Sequence, residues 1–421
     1  MPIDFLIHSA TQLVTCASDH PKRGAEMTDL GLIEGGAVAV DDGFIIDVGS
    51  SAELGSRYQP RTTINANGKV VCPGFVDAHT HVVYAGDRAA EFEMRIRGAT
   101  YQEIAAAGGG ILSTVQQVRD AMVGQLVAET RPRLDAMLRL GTTVVEVKTG
   151  YGLDLDSELH MLQAIEQLDV SQPIGLIPTF LGAHAIPPEY EGRNDEYTQY
   201  VIDTLIPAAA GWYAQSHFPA RGVPFFIDVF CEENAFTLDQ SRRILEAGIA
   251  HGMKAKAHVD EFTNLGGARM AADLGAVSVD HLDVTSADEI AHLALSHTIA
   301  VIIPAVNFNF GSSHFADARA LIDGGAALAL ATDINPGSAP CPSMPLVMAI
   351  ACRYQHLLPS EALNASTINA AFAVGAGDKI GSIEVGKLAD ILLIDATDYR
   401  HLAYQFGGNL VKTVVKRGKV I

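Results

Sequence analysis

From residue 70 onward, short apolar runs alternate with stretches in which apolar residues recur at helical spacing. This alternation is typical of βα units arranged around a parallel sheet. A buried parallel strand is expected to be almost continuously apolar and to end in polar residues. Eight runs fit that description: KVVCPGFVDA, TTVVEVKTG, PIGLIPTFLGA, FFIDVFCEE, MKAKAHVDE, GAVSVDHLD, TIAVIIPA and AALALATD. The pattern therefore predicts an α/β fold in which eight strands close into a (β/α)8 barrel.

Helix starts and helix faces can be located between these runs. Thr237 with Gln240, and Ser286 with Glu289, have the spacing of a capping box, in which each side chain binds a free backbone amide of the first turn. A stripe of apolar residues at a spacing of three predicts one helix face that packs on the sheet, made of Leu159, Leu162, Ile165 and Leu168.

The two ends of the chain lack helical periodicity. The segment AVAVDDGFIIDVGS reads as two strands about an Asp42-Gly43 turn, and strand-like runs return in ADILLIDA and KTVVKRGKVI. We predict that residues 1–69 and 376–421 together form a small discontinuous β-sandwich domain. Residues 70–375 then form the barrel domain.

Composition and charge exclude several classes of protein. The 421 residues are 48% hydrophobic and carry a formal net charge of -20, which disfavours nucleic acid and anionic membranes as partners. The five cysteines are odd in number and form no CxxC pair, as expected in a reducing compartment. The chain starts without a leader-like segment and contains no apolar run of eighteen residues. We expect a soluble, cytoplasmic protein with a small-molecule substrate.

Polar residues that suit a metal ion follow several of the predicted strands. His79 and His81 are two apart, so both can face the barrel mouth, and His258, His281 and Asp333 end the fifth, sixth and eighth strands. Imidazoles and a carboxylate suit zinc or ferrous iron with one position open to water. Taken singly, these histidines are more often hydrogen-bonded core residues, and Asp333 could cap a turn. The fourth strand has no lysine that could bridge two metals, and Lys148 lies on the second, so we expect one divalent metal ion.

The whole chain resembles the amidohydrolase superfamily. The matching stretches are PGFVDAHTHVVYAGDRAAEFEMR, EVKTGYGL, TFLGAHAIP, AHVDEF, VDHLD, TDINPGS and GSIEVGKLADILLID. In detail, they are similar to the members of this superfamily that act in histidine degradation. Ile334 departs from the pattern, because an aromatic residue is often seen at that position.

The resemblance implies roles for individual residues. It implies that one Zn²⁺ or iron ion is held by His79, His81, His258 and Asp333. It makes Glu261, His281 and Asp333 the catalytic residues. It assigns substrate binding to Arg88, Tyr151, His184, Glu261, Asn335, Gly337 and Ser338. From the residues alone, Arg88 could equally be a surface arginine, and the alternative for Glu261 is a helix-start carboxylate. Tyr101 is a further candidate for binding a substrate carboxylate.

The reaction implied by the resemblance is hydrolysis of the cyclic amide of 4-imidazolone-5-propanoate to N-formimidoyl-L-glutamate. Metal-activated water would attack the ring carbonyl, and Asp333 would pass the proton to the departing ring nitrogen. The superfamily also implies a homodimer. Two alternatives remain open: a related deaminase of guanine or cytosine, and a barrel that binds partners without catalysis. ATP binding is rejected for GSIEVGKL, since Leu388 replaces the hydroxyl residue of a phosphate-binding loop.

Overall fold

The computed structural model describes residues 1–100, 103–104 and 107–421. Within these ranges the chain forms two sheets and a set of surrounding helices. The strands are β1 (Pro2–Val14), β2 (Leu32–Asp41), β3 (Phe44–Ser50), β4 (Gln59–Asn65), β5 (Val70–Pro73), β6 (Phe75–Asp77), β7 (Thr142–Lys148), β8 (Gly175–Ala183), β9 (Phe226–Cys231), β10 (Lys254–Val259), β11 (Ser278–His281), β12 (Ile299–Ile302), β13 (Leu328–Leu330), β14 (Ile391–Ile394), β15 (Val411–Lys416) and β16 (Lys419–Val420).

The helices between the strands are mostly amphipathic; most of them cover the outside of the barrel, and the first packs on strands β1, β2 and β3. They are α1 (Ser51–Arg57), α2 (Ala89–Ile96), α3 (Ile111–Asp120), α4 (Val123–Arg139), α5 (Leu155–Ser171), α6 (Asn194–Tyr200), α7 (Ile206–Gln215), α8 (Leu238–Ala250), α9 (Gly267–Asp273), α10 (Ala287–Leu295), α11 (Pro304–Phe310), α12 (Ala318–Asp323), α13 (Met344–Tyr354), α14 (Pro359–Ala365), α15 (Ile368–Ala373) and α16 (His401–Tyr404). None of these described helices is both long enough and apolar enough to cross a bilayer.

Strands β6 to β13 form one parallel sheet in sequence order. The sheet closes where the chain beyond β13 meets the chain beyond β6. The amide of Asp333 donates to the carbonyl of His79 at 3.0 Å, and the amide of His81 donates to the carbonyl of Ile334 at 3.0 Å. The predicted (β/α)8 barrel is confirmed, and its closing seam carries three of the predicted site residues.

The helix boundaries and faces follow the sequence signals. Thr237 and Gln240 exchange hydrogen bonds of 3.3 and 3.0 Å at the start of α8, and α10 begins with the same reciprocal box at Ser286 and Glu289. On α5, Leu162, Ile165 and Leu168 are fully buried against the barrel, with Leu159 partly buried beside them. Capping and periodicity therefore located these helices correctly.

The two ends of the chain meet in one eight-stranded mixed sheet, as predicted for the second unit. Its central order is β16, β15, β14, β5, β1, β2 and β3, with β4 added beside β1. Strand β5 belongs to this sheet, because it pairs in parallel with β1 and antiparallel with β14. The run KVVCPGFVDA therefore contains two strands, which divide at Gly74. A Cβ at Gly74 would lie 2.3 Å from the hydroxyl of Thr143, so a larger residue here would displace Thr143. The domain bounds of 1–69 with 376–421, and 70–375, stay predictions.

Candidate metal centre and substrate pocket

The segment His79-Thr80-His81 is held in place from both sides of the barrel wall. Its backbone bonds to residues 333 and 334 at the seam, while the Thr80 amide and hydroxyl donate to Glu146 at 3.1 and 2.7 Å. Both histidines are buried, with side chains 0% and 4% exposed. The chain therefore fixes two imidazoles at the carboxyl end of β6 before any ligand binds.

The four predicted metal ligands converge at this mouth. Oδ1 of Asp333 lies 3.5 Å from Nε2 of His79 and 3.4 Å from Nε2 of His81. Nε2 of His81 lies 3.2 Å from Nε2 of His258, and the rings of His79 and His258 are 4.4 Å apart. Residues separated by up to 254 positions in the chain thus place nitrogen and oxygen donors around one point.

Neighbouring carboxylates determine which ring nitrogens face that point. Nδ1 of His79 forms a 2.7 Å hydrogen bond with Asp280, so Nδ1 is the protonated nitrogen of His79, and Nδ1 of His258 faces Asp228 at 3.0 Å. Nε2 of His79 faces Asp333 on the other side of the ring, and Nε2 of His258 faces Nε2 of His81. Burial, followed by the charge of Lys148 for His79 and of His184 for His81, holds the pKa of both imidazoles well below the usual value. Neutral imidazoles are the form that binds metal.

The donor set fits a divalent cation. Among the described residues, Nε2 of His79 and Oδ1 of Asp333 are buried without a hydrogen-bond partner. An unpaired buried polar atom costs free energy, and a cation between these atoms would satisfy both. His281 and His184 join overlapping groups with His258, so five imidazoles surround the point.

Backbone conformation brings two of these residues into the mouth. His281 has φ 86° and Asp333 has φ 51°, in the left-handed region that non-glycine residues rarely adopt. Strand alternation would point His281 away from the face used by Asp280, yet both lie near His79. The left-handed turn at His281 removes that alternation. Strain of this kind is concentrated at functional sites.

A cavity of about 410 Å³ opens directly above the predicted ligands. All of the predicted substrate residues line it: Arg88, Tyr151, His184, Glu261, Asn335, Gly337 and Ser338. Tyr101, the further carboxylate candidate, lies outside the described residues. Other residues that sequence reasoning did not identify also line the cavity, among them Glu91, Arg95 and Phe310.

Helix α2 carries the cationic wall of the cavity. Glu91 accepts both Nε and Nη2 of Arg88, with 2.8 Å to Nε, and also accepts the amide of Gly110 at 2.9 Å. Arg95 donates to the carbonyl of Gly337 at 2.8 Å and stacks 5.0 Å above the ring of Phe310. The spacing of Arg88, Glu91 and Arg95 in DRAAEFEMR was the available signal, since it places all three on one helical face.

The loop after β13 is organised by Asn335. Its amide nitrogen donates to the carbonyl of Asp333 at 2.8 Å, to Oδ2 of Asp333 at 3.0 Å and to Oγ of Ser338 at 2.7 Å. Its amide oxygen accepts the backbone amides of Gly337 and Ser338 at 2.8 and 2.7 Å. Asn335 therefore orients Asp333 and the loop, in addition to lining the cavity.

Tyr151 and His184 line the cavity beside His81. The ring of His184 stacks on His81 at 4.7 Å, and its Nδ1 lies 3.0 Å from the carbonyl of Gly150. Burial and the charge of His258 lower the pKa of His184 to about 3, so its imidazole is neutral and its Nε2 is an acceptor. Burial, then the charge of Asp333, raises the pKa of Tyr151, which keeps its phenol a hydrogen-bond donor.

Glu261 and His281 lie beside the predicted ligands. Oε2 of Glu261 is 3.8 Å from Nε2 of His281, and the Glu261 side chain is 12% exposed. Burial, together with the charges of Asp333, Asp283 and Glu232, raises the pKa of Glu261 well above its usual value. A carboxyl group in this state can donate a hydrogen bond as well as accept one.

Below the ligands, charged side chains fill the barrel interior. The ammonium of Lys148 lies 2.8 Å from Glu146 and 2.7 Å from Asp228. Burial lowers the pKa of Lys148, but the adjacent carboxylates of Asp228, Glu146 and Asp280 outweigh burial and raise it. Lys148 is therefore a charged partner of these carboxylates.

Gly337→Ala tests how tightly Arg88 is held. An added methyl group would lie 2.2 Å from Nη1 of Arg88, which Glu91 keeps in place. We expect the guanidinium to shift and KM to rise about tenfold, with a smaller change in kcat, because a misplaced anchor weakens binding. Steady-state kinetics checks this. Gly124→Ala on α4 is the matched control, since a methyl group there has no neighbour within 4 Å. An unchanged KM for Gly337→Ala would contradict the expectation.

Comparison with known proteins places the chain in a family. The amidohydrolase family model matches residues 233–421. The imidazolonepropionase of Chloroflexus aggregans is 55% identical over 421 residues, covering 100% of this chain and 99% of that protein. The imidazolonepropionase of Herpetosiphon aurantiacus is 50% identical over 418 residues, covering 99% of this chain and 97% of that protein.

Solved structures with the same fold are more distant in sequence. A zinc-bound adenosine deaminase from Xanthomonas campestris has a TM-score of 0.70 at 22% identity, covering 100% of this chain and 93% of that one. An atrazine chlorohydrolase from Arthrobacter aurescens, complexed with zinc, has a TM-score of 0.74 at 17% identity, covering 99% and 94%. These two support the fold, whereas the full-length relatives identify the family. The chain belongs to the imidazolonepropionase family of amidohydrolases.

Proposed function

We propose that this protein is a metal-dependent hydrolase that opens the cyclic amide of 4-imidazolone-5-propanoate, giving N-formimidoyl-L-glutamate in histidine degradation. One observation carries the proposal: a buried set of imidazole and carboxylate donors opens into a cavity whose lining includes two arginines. Such a cavity suits a small ring that bears a carboxylate tail. Full-length relatives that bear the name imidazolonepropionase support the same reaction.

The cofactor in this proposal is one divalent metal ion, zinc or iron. His79, His81, His258 and Asp333 would hold it, because their donor atoms are buried, close together and incompletely paired. When bound, such an ion polarises a carbonyl group and lowers the pKa of a coordinated water toward neutrality. Lys148 is engaged with two carboxylates, which supports a single ion.

Three side chains then carry out proton transfer and charge stabilisation. Asp333 accepts a proton from the attacking water and delivers it to the ring nitrogen as the carbon-nitrogen bond breaks. His281 orients the water and stabilises negative charge as it develops on the carbonyl oxygen. Glu261, whose carboxyl lies 3.8 Å from His281, holds a nitrogen of the ring. Water adds to the carbonyl carbon, so the product gains one carboxylate and keeps the nitrogen attached.

The remaining residues select the substrate tail. Arg88 and Arg95 face the cavity with Glu91 between them, which leaves one net positive charge for one carboxylate. A guanidinium matches a carboxylate in charge and in planar geometry. Tyr151, His184, Gly337 and Ser338 line the space for the ring and the tail, and Asn335 keeps the loop of Gly337 and Ser338 in place.

Arg88→Met should weaken substrate binding with little effect on the chemical step. Loss of charge-assisted hydrogen bonds of this kind costs about 2 kcal/mol, so we expect KM to rise about 30-fold. Initial rates over a range of substrate concentrations measure this. Arg97→Met is the matched control, because Arg97 is on the same segment but its side chain is 76% exposed and paired with Glu93. If KM were the same in Arg88→Met and Arg97→Met, Arg88 would have no part in binding the tail.

The function is tested by mixing metal-analysed protein with freshly generated imidazolone propionate and following the decay of the ring's ultraviolet absorbance. Formation of N-formimidoyl-L-glutamate without ammonia is the expected result. Ammonia released from guanine or cytosine would instead support a deaminase. A protein that binds no metal and turns over none of these compounds would support a binding role without catalysis.

We further propose that the protein acts in the cytoplasm as a homodimer, without nucleic acid or membrane partners. The net charge of -20 supports the absence of nucleic acid, since it opposes approach to phosphate backbones. All five cysteines are free, which agrees with a reducing compartment. Sedimentation of the purified protein would test the dimer.

A further inference from the structure

Five charged side chains that are linked to one another by ion pairs are completely buried in the barrel interior below the candidate metal centre. They are Glu146, Lys148, Asp228, Lys256 and Asp280, each with 0% of its surface exposed. Charges removed from water are costly unless they are paired with good geometry. Packing alone does not account for this cluster, because apolar side chains would fill the same space without the free-energy cost of burying charge.

Lys148 is at the centre of the cluster. Its ammonium lies 2.7 Å from Oδ2 of Asp228, 2.8 Å from Oε1 of Glu146 and 3.7 Å from Oδ2 of Asp280. Lys256 takes a different position, since it donates to Oγ of Ser278 at 2.7 Å and lies 3.6 Å from Asp280. Among the described residues, Lys148 is the lysine that contacts Asp228.

The two aspartates that Lys148 contacts are the same two that hold the candidate ligands. Oδ2 of Asp228 is 3.0 Å from Nδ1 of His258, and Oδ2 of Asp280 is 2.7 Å from Nδ1 of His79. The oxygen of Asp228 that faces His258 is also the oxygen that faces Lys148. Partners of this kind fix the tautomer and orientation of a metal-binding histidine.

We propose that Lys148 is a positioning residue that fixes Asp228 and Asp280 together, and through them orients His258 and His79 toward the metal ion. This inference rests on the proposed metal centre. Without Lys148, Asp228 would lose its ammonium partner and could rotate away from His258. Asp280 would keep Lys256 and Ser278, so His258 should be affected more than His79.

The opposing explanation is that Lys148 only neutralises buried carboxylates and so stabilises the fold. The two explanations differ in their effect on metal affinity once stability is restored. Lys148→Met alone leaves the cluster more negative and could unfold the barrel. The double variant Lys148→Met with Glu146→Gln has the same net charge in the cluster as the wild type. Its glutamine oxygen can still accept the amide of Thr80, as Glu146 does at 3.1 Å.

The experiment measures Zn²⁺ affinity by competition with a chromophoric chelator, and records the visible spectrum of the Co²⁺-loaded protein as a report on ligand geometry. We expect the double variant to stay folded, to bind Zn²⁺ about 10- to 100-fold more weakly than the wild type, and to give an altered Co²⁺ spectrum. Activity is not needed for either readout.

The matched control is Lys416→Met in the terminal sheet, where a buried ammonium pairs with Asp390 at 2.5 Å far from the barrel mouth. It should lower Tm and leave Zn²⁺ affinity unchanged. A folded double variant whose Zn²⁺ affinity is within threefold of the wild type would overturn the role of Lys148. An equal loss of Zn²⁺ affinity in Lys416→Met would overturn it as well. A wild-type protein that does not bind Zn²⁺, Fe²⁺ or Co²⁺ would instead overturn the metal centre itself.

Discussion

Asp333→Asn is expected to lower kcat for ring hydrolysis by a factor on the order of 10³ to 10⁴, the largest effect of any single substitution considered for this protein. Asp333 has two proposed tasks, as a metal ligand and as the group that carries the proton to the ring nitrogen. Asparagine removes the negative charge and the proton acceptor. It preserves the shape of the residue, so the loop held by Asn335 should remain in place.

Two measurements separate these tasks of Asp333. Metal content reports ligand loss, and kcat of the fully loaded variant reports proton transfer. Asp169→Asn serves as the matched control, since Asp169 is a buried carboxylate on α5 that binds His217 and contacts Arg221 outside the cavity. Asp169→Asn should lower the stability of the fold and leave kcat unchanged. Substantial activity in metal-loaded Asp333→Asn would contradict the proposed proton transfer.

Glu261→Ala is expected to lower kcat about 10²- to 10³-fold while the protein keeps its metal. Glu261 is not among the proposed ligands, and its carboxyl lies 3.8 Å from His281 at the edge of the cavity. Alanine removes the group that holds the ring nitrogen, so the substrate should bind in less productive orientations. Because the pKa of Glu261 is raised, its carboxyl can donate a hydrogen bond, and Glu261→Gln should retain more activity than Glu261→Ala.

Glu233→Gln is the matched control for Glu261, because Glu233 is an exposed glutamate at the carboxyl end of β9, near the same mouth. Steady-state rates and metal analysis of the three variants are compared together. Near-normal turnover in Glu261→Ala would remove Glu261 from the mechanism. Loss of metal from that variant would instead identify Glu261 as a residue that supports the ligands.

Much of the barrel could be predicted from local sequence. Eight apolar runs ending in polar residues located the barrel strands, and capping boxes at Thr237 and Ser286 located two helices. The single run KVVCPGFVDA was less well predicted, because it contains both a strand of the terminal sheet and a barrel strand. The division at Gly74 follows from pairing with distant strands, since β5 pairs with β1 and β14 whereas β6 pairs with β7.

Only part of the candidate site could be predicted from the sequence. His79 and His81 follow from strand alternation, and the other candidates follow from resemblance and from the convergence of strand ends. Glu91 and Arg95 were not identified because their place in the cavity lining depends on how α2 lies over the mouth, which periodicity does not specify. The left-handed backbone at His281 was also not predictable, since it reverses the side-chain direction that alternation implies.

The seam between β6 and β13 gives the first and last candidate ligands a second role. His79 and His81 on one side, and Asp333 on the other, are joined by the same backbone hydrogen bonds that complete the ring of strands. A cation bound across this junction would link the two strands, so its binding free energy would also oppose separation of the first barrel strand from the eighth. Ring closure and cofactor uptake would then be thermodynamically linked.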